Sequence, residues 1–117
     1  MEKVSYEEFK KMEIKVGTVK SVEEIEGADK LLRFMIDFGD VNESGELTFR
    51  QIVSGLKEYY PSFQELVGKQ LLYIVNLEPR SIKGVESNGM LLAVDGKDGN
   101  PVFLVPEVEV DAGSKVR

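Results

Sequence analysis

The sequence contains no cysteine and no histidine. Those absences remove disulfides, thiolate nucleophiles, imidazole bases and the common zinc ligand sets. The acidic residues are scattered, and no EF-hand spacing appears. Long apolar runs are missing too. Stretches such as Leu71–Val75 and Met90–Val94 fall far short of the ~20 residues that cross a bilayer. The opening Met1-Glu-Lys-Val-Ser5 lacks the apolar segment of a secretory signal, which predicts a cytoplasmic protein with no membrane partner. There is no phosphate-cradling G-x-x-x-x-G-K-[ST] loop and no G-x-G-x-x-G element, and no serine has a histidine to activate it. The sequence therefore predicts no enzyme activity, no catalytic residue, no metal and no cofactor.

What is present suits one domain, residues 1–117, with an ordinary globular share of 42% hydrophobic residues. The net charge of −6 argues against a simple polybasic nucleic-acid binder. Its distribution softens that objection. Residues 30–83 carry seven basic and seven acidic side chains, while both flanks are acidic. Charges more than about one Debye length (~8 Å) apart are screened at physiological salt. A locally basic face is thus compatible with an acidic whole.

Ser5-Tyr-Glu-Glu8 has the spacing of a capping box, followed by Tyr6, Phe9 and Met12 near one face of a short helix that would plug one end of the core. From Ile14 the apolar period becomes two. Ile14, Val16, Thr18 and Val22 define one strand face, and Leu32, Phe34, Ile36 and Phe38 a second. Leu47, Phe49, Gln51 and Val53 define a third, with Thr48, Arg50 and Ile52 opposite. That parity points Arg50 outward and places Gln51 on a core-facing side. Ser62 and Glu65 suggest a second capping box, with Gly68 as the stop. Strands then follow at Lys69–Leu77 and Gly89–Asp95, the latter turning through Asp95–Asn100 into Val102–Val105. This order predicts an all-β fold of small α content: an OB-fold, a five-stranded Greek-key barrel with a short helix between strands three and four. An SH3-like barrel is the alternative. The tail from Pro106 alternates again at Val108 and Val110, with Val116 near its end, so it would expose an apolar edge unless a second copy covers it.

Chemistry concentrates between Asn76 and Met90, a linker between two apolar strands. Arg80 and Lys83 offer cations for phosphate, and Asn76, Ser87 and Asn88 offer hydrogen-bonding groups. Met90 offers an apolar surface for a base. A solvated turn with a gap-filling methionine would use the same residues. Arg50 and Gln51 form a second cluster, for which a buried, hydrogen-bonded Gln is the alternative. Lys30 and Arg33 form a third, and Tyr59, Tyr60 and Tyr73 could stack on bases.

Several of these pieces occur together and in order. They are Phe9, Ile14-Lys-Val-Gly17, Glu26-Gly-Ala-Asp-Lys-Leu-Leu32, Arg50-Gln-Ile-Val-Ser-Gly55, Leu66-Val-Gly-Lys69, Val75-Asn-Leu-Glu-Pro-Arg80, Gly84-Val-Glu-Ser-Asn-Gly-Met90 and the closing Lys115-Val-Arg117. In this spacing residues 5–117 resemble the tRNA-binding domain family. That family includes free-standing tRNA-binding proteins, the C-terminal or β-subunit domain of methionyl-tRNA synthetases, and cytokine-like domains of synthetase complexes. The resemblance implies the OB-fold, a homodimer built through the chain ends (1–13 and 106–117), and structure-directed tRNA binding without reading an anticodon. It also implies tRNA contact at Lys30, Arg50, Gln51, Asn76, Arg80, Lys83, Ser87 and Met90. Two departures stand out. The segment Gly39–Phe49 is longer than in many relatives and carries Asp40, Glu43 and Glu46, which would repel phosphate if folded over the binding face. The chain is also more acidic than strong tRNA binders. The alternatives within this resemblance are a peptide-binding role, as in a branch resembling an export chaperone, and a module that dimerises a methionyl-tRNA synthetase.

Overall fold

The computed structural model describes residues 1–117. A single turn of helix, α1 (Tyr6–Phe9), leads into three long strands, β1 (Ile14–Ile25), β2 (Ala28–Val41) and β3 (Leu47–Ser54). A 3-10 helix at Phe63–Leu66 precedes β4 (Gln70–Ile74), β5 (Arg80–Ile82), β6 (Val85–Ser87), β7 (Met90–Leu91), β8 (Ala93–Asp95) and β9 (Pro101–Phe103). Five strands make one antiparallel sheet in the order β3-β2-β1-β4-β7, while β5–β6 and β8–β9 are separate hairpins. The mostly-β, five-stranded architecture expected from the sequence is therefore present. The far edges of the sheet approach through two hydrogen bonds, from Asn88 N to Gln51 O (2.9 Å) and from Val53 N to Ser87 Oγ (3.0 Å).

Leu32, Phe34, Ile36 and Phe38 alternate inward as expected, and all four are buried. They pack with Val19, Val22, Ile52, Leu56, Leu66, Leu71 and Tyr73. In β1 the parity does not hold throughout. Register passes from Val19↔Ile36 to Ser21↔Met35, so Lys20 is an extra residue in a bulge. The bulge lets Val19 and Val22, three apart, both face the core. A smaller cluster of Ile25, Ala28, Leu31 and Val53 lies under Ile82 and Val85 of the β5–β6 hairpin.

The predicted faces of β3 are exchanged. Cross-strand partners share a face, and here Phe34 pairs with Ile52 and Ile36 with Arg50. Ile52 is fully buried, whereas Leu47 and Phe49 are exposed. Those two apolar residues lie beyond the core, on an arm formed by the ends of β2 and β3, so they do not report the buried side.

The ends of the chain also differ from expectation. Ser5 caps α1 by accepting from Glu8 N (3.1 Å), but the Glu8 carboxylate meets the Ser5 hydroxyl rather than its backbone. Tyr6 and Phe9 are exposed, so α1 does not plug the core. Ser62 makes no side-chain cap, and its helix is 3-10. The tail is not a free strand. It lies along β1 where β2 leaves off, with Val16 N donating to Ser114 O (2.9 Å), and Gly113 N to Val16 O and Val116 N to Ile14 O (2.8 Å each). The Gln70 side chain holds Val110 at both its N–H and its carbonyl. Gly39 and Gly113, both at positive φ, meet across this seam: a Cβ on Gly113 would strike the Phe38 carbonyl, and one on Gly39 would lie 2.8 Å from Ala112 O.

Candidate nucleic-acid interface

The segment Asn76–Met90, read as a linker between two apolar strands, contains a two-stranded hairpin with Arg80 opposite Ser87 and Ile82 opposite Val85. Its turn is Lys83-Gly84, with φ of 49° and 82°. Two successive positive values are the requirement of a type I′ turn. Lys83 is the one non-glycine residue in the chain with positive φ. Ile82 and Val85 root the hairpin in the smaller apolar cluster. Ser87 pins its base, accepting from Val53 N and donating to Gly89 O (3.0 Å each). Gly89 then crosses Ile52 and Ile74 at φ 137°, where a Cβ would be strained and would press on both within about 3.1 Å.

Of the eight candidate residues, Arg50 and Gln51 lie on β3 and Arg80, Lys83 and Ser87 on this hairpin, whereas Lys30 is on β2, Asn76 follows β4 and Met90 is on β7, and they differ sharply in state. Arg80 and Lys83 are exposed and take part in no ion pair. Met90 is exposed to 40%. Lys30 is exposed at the start of β2 and lies 3.7 Å from Glu58. Ser87 is buried, with its hydroxyl fully engaged. The Asn76 amide clamps the N-terminal segment, accepting from Glu13 N (2.8 Å) and donating to Lys11 O (2.6 Å). Gln51 faces away from the main core and donates through Nε2 to Glu86 O (2.8 Å).

Arg50 does not point into solvent. Its guanidinium lies over the Phe38 ring (5.3 Å), donates to Val75 O (2.6 Å) and stands 3.9 Å from Asp40. Of the tyrosines considered for stacking, Tyr73 is fully buried against Phe38, and Tyr60 is stacked on Phe103 with its hydroxyl donating to Pro101 O. Only Tyr59 remains exposed.

Arg50 and Gln51 line an open cleft of about 420 Å³ together with Asp40, Thr48, Phe49, Glu86 and Asn88. Its charged lining residues are one arginine and two acids, of which Asp40 brings its carboxylate toward the guanidinium. Asp40 thus lies in the cleft beside Arg50, a placement in which its charge would repel phosphate. Glu86 was overlooked. It lies exposed between buried or half-buried Val85 and Ser87, and its carbonyl accepts from Gln51 at the cleft wall. At the chain ends, the Lys115 ammonium sits 2.7 Å from the Glu13 carboxylate. That bond, with added attraction from Lys15, holds Glu13 below its ordinary pKa of 4.5. No group of residues is arranged to hold a metal ion, and no helix is long and apolar enough to cross a membrane.

Residues 14–115 match a family described as "Putative tRNA binding domain". The chain belongs to the tRNA-binding domain family. Among its relatives is a methionine–tRNA ligase of Porphyromonas gingivalis, 47% identical over 116 residues that cover 99% of this chain and 16% of that protein. The chain therefore spans about one sixth of the length of such relatives. Two solved structures resemble it along their whole length. A MetRS-related protein from Pyrococcus horikoshii has a TM-score of 0.86 at 37% identity, covering 100% of both chains. The chaperone CsaA of Bacillus anthracis has a TM-score of 0.80 at 28% identity, covering 99% of this chain and all of that one.

Proposed function

We propose that residues 1–117 act as one non-catalytic domain that binds folded tRNA by shape and phosphate rather than by sequence. The observation that carries this reading is the β5–β6 hairpin. In a chain of the tRNA-binding domain family, it presents two unpaired cations, Arg80 and Lys83, on a rigidly rooted support. Met90 supplies an exposed apolar surface beside it. Ser87, Gln51 and Asn76 act by positioning, since their polar groups already bind the protein's own backbone, whereas Arg50 is anchored through one guanidinium nitrogen and turns the other toward Asp40 in the cleft. Lys30 contributes at the periphery, after release from Glu58.

The partners are tRNA, a second copy of the chain, and the catalytic portion of a methionyl-tRNA synthetase; the compartment is the cytoplasm. The second copy is proposed to cover the chain ends, 1–13 and 106–117, where Val4, Tyr6, Phe9, Val105 and Val108 are exposed. In this reading the five-stranded sheet functions as an OB-fold barrel, and its binding surface runs across the edge closed by Ser87 and Asn88.

Titration with total tRNA at two or more salt concentrations tests the proposal. With ~4–6 phosphates neutralised, log affinity falls against log salt with a slope of about −3 to −5. Arg80→Ala should weaken binding to all tRNAs alike and make the slope shallower by about one unit. An unchanged affinity and slope would remove Arg80 from the interface. The likeness to CsaA supports a second reading, a peptide-binding chaperone. Binding of a denatured protein that tRNA fails to displace would favour it.

A further inference from the structure

The cleft beside the hairpin contains a cation that is already occupied. We infer that Asp40 is a built-in competitor for phosphate at Arg50 and limits how tightly this face holds a polyanion. The inference rests on the tRNA reading above and concerns the regulation of the same surface.

Three observations carry it. The first is the register of β2 and β3. Pairing is continuous from Leu32↔Ser54 to Asp37↔Phe49 and then jumps to Val41↔Leu47. Three residues of β2, Phe38–Asp40, therefore stand opposite the single residue Thr48. An expanded bulge of this kind re-aims side chains, and here it brings the Asp40 carboxylate to 3.9 Å from the Arg50 guanidinium. Second, Arg50 is tethered by its bond to Val75 O and by the Phe38 ring beneath it. It cannot swing out to meet a ligand without giving up those contacts, so a phosphate has to approach where Asp40 already stands. Third, the bulge is braced. Gly39 N donates to the Asp37 carboxylate (2.7 Å), and the backbone of Gly39 is packed against Ala112. Asp40 is consequently held in place rather than carried on a free loop.

The contact is partly solvated, with 26% of the Arg50 side chain and 49% of the Asp40 side chain exposed. A pair of that kind is weak and yields to a stronger anion. Glu86 on the facing wall adds a second repulsive charge. The arrangement lowers affinity in a graded way and leaves the hairpin cations as the principal contacts. Such opposition raises selectivity for ligands that engage the whole surface over those that offer charge alone.

The test compares the full chain with Asp40→Asn and Glu43→Gln in titrations with total tRNA and with a heparin-like polyanion across a salt series. Asp40→Asn removes the competitor without changing side-chain size. Glu43→Gln removes the same charge at the tip of the arm, outside the cleft. Asp40→Asn should tighten tRNA binding roughly 3–10-fold at low salt, steepen the salt slope by about one unit, and tighten heparin at least as much. Glu43→Gln should change affinity less than twofold. Equal tightening by both variants would mean that net charge alone is at work, and no tightening by Asp40→Asn would mean that Arg50 is not a phosphate site; either overturns the inference. Failure of the tRNA reading itself looks different: the unaltered chain would then bind no tRNA, or bind it with no response to Arg80→Ala. Matching thermal midpoints for the variants and the parent would exclude a folding artefact.

Discussion

Single side chains in this protein divide into those that meet solvent and those that hold the backbone, and residue type does not reveal which is which. Ser87 looks like a ligand contact in the sequence but is a buried latch between β6 and β3. Ser87→Ala leaves Val53 N–H buried without its acceptor, which should cost about 1–2 kcal/mol in denaturant unfolding. It should weaken tRNA binding while leaving the salt slope unchanged. Tyr73 is the opposite case. Burial pushes its phenol far above the ordinary range, and its hydroxyl has no partner. Tyr73→Phe removes an unsatisfied polar atom and keeps the edge-on contact with Phe38. Unfolding should find it as stable as the parent or up to ~1 kcal/mol more so. Arg50 was legible as a cation on β3 but not in its orientation. Strand parity located it correctly relative to Ile52, yet exposed Leu47 and Phe49 drew the apolar face to the wrong side.

At the scale of elements, β2 and the inward face of its alternation were legible because its core residues fall at strict period two. The bulges in β1 and β2 were not, since each is set by the register of a neighbouring strand rather than by its own residues. The β5–β6 hairpin was also hidden, because a turn through Lys83-Gly84 lacks the usual Asn-Gly signature. That turn offers a clean test of charge. Asn tolerates positive φ better than other non-glycine residues, so Lys83→Asn should keep the hairpin folded while making the salt slope of tRNA binding shallower by about one unit. The tail gives a pH test. The Lys115 bond lowers the Glu13 pKa, so the carboxylate prefers the docked state. Its contribution is complete above the ordinary value of 4.5 and is lost as pH falls below that value through the lowered one. Amide exchange at Val116 and Ser114 should accordingly accelerate as pH falls below 4.5, beyond its intrinsic trend. Lys115→Met should abolish that excess.

For the whole molecule, composition left room for a nucleic-acid binder despite a net charge of −6, and two unpaired cations do lie together on one hairpin. The five-stranded plan was legible from the order of apolar runs and turns. The course of the tail was not. Its alternation reads as a strand in search of a partner, whereas backbone hydrogen bonds to β1 and the Gln70 clamp already occupy it. The proposed dimer must then form over side chains rather than by strand addition. Equilibrium sedimentation at micromolar concentration should show twice the chain mass, and Phe9→Glu should return it to the single-chain value. A monomer in the unaltered protein would exclude that assembly.

The lacing of the tail onto β1 has one more consequence. Ile14 and Val116 are hydrogen-bonded to each other, so the polypeptide enters and leaves this fold at the same spot. A module wired in that way can be spliced between two segments of a longer polypeptide, or its ends joined and reopened at the exposed Asp98-Gly99 turn, with the hairpin that carries Arg80 and Lys83 left undisturbed.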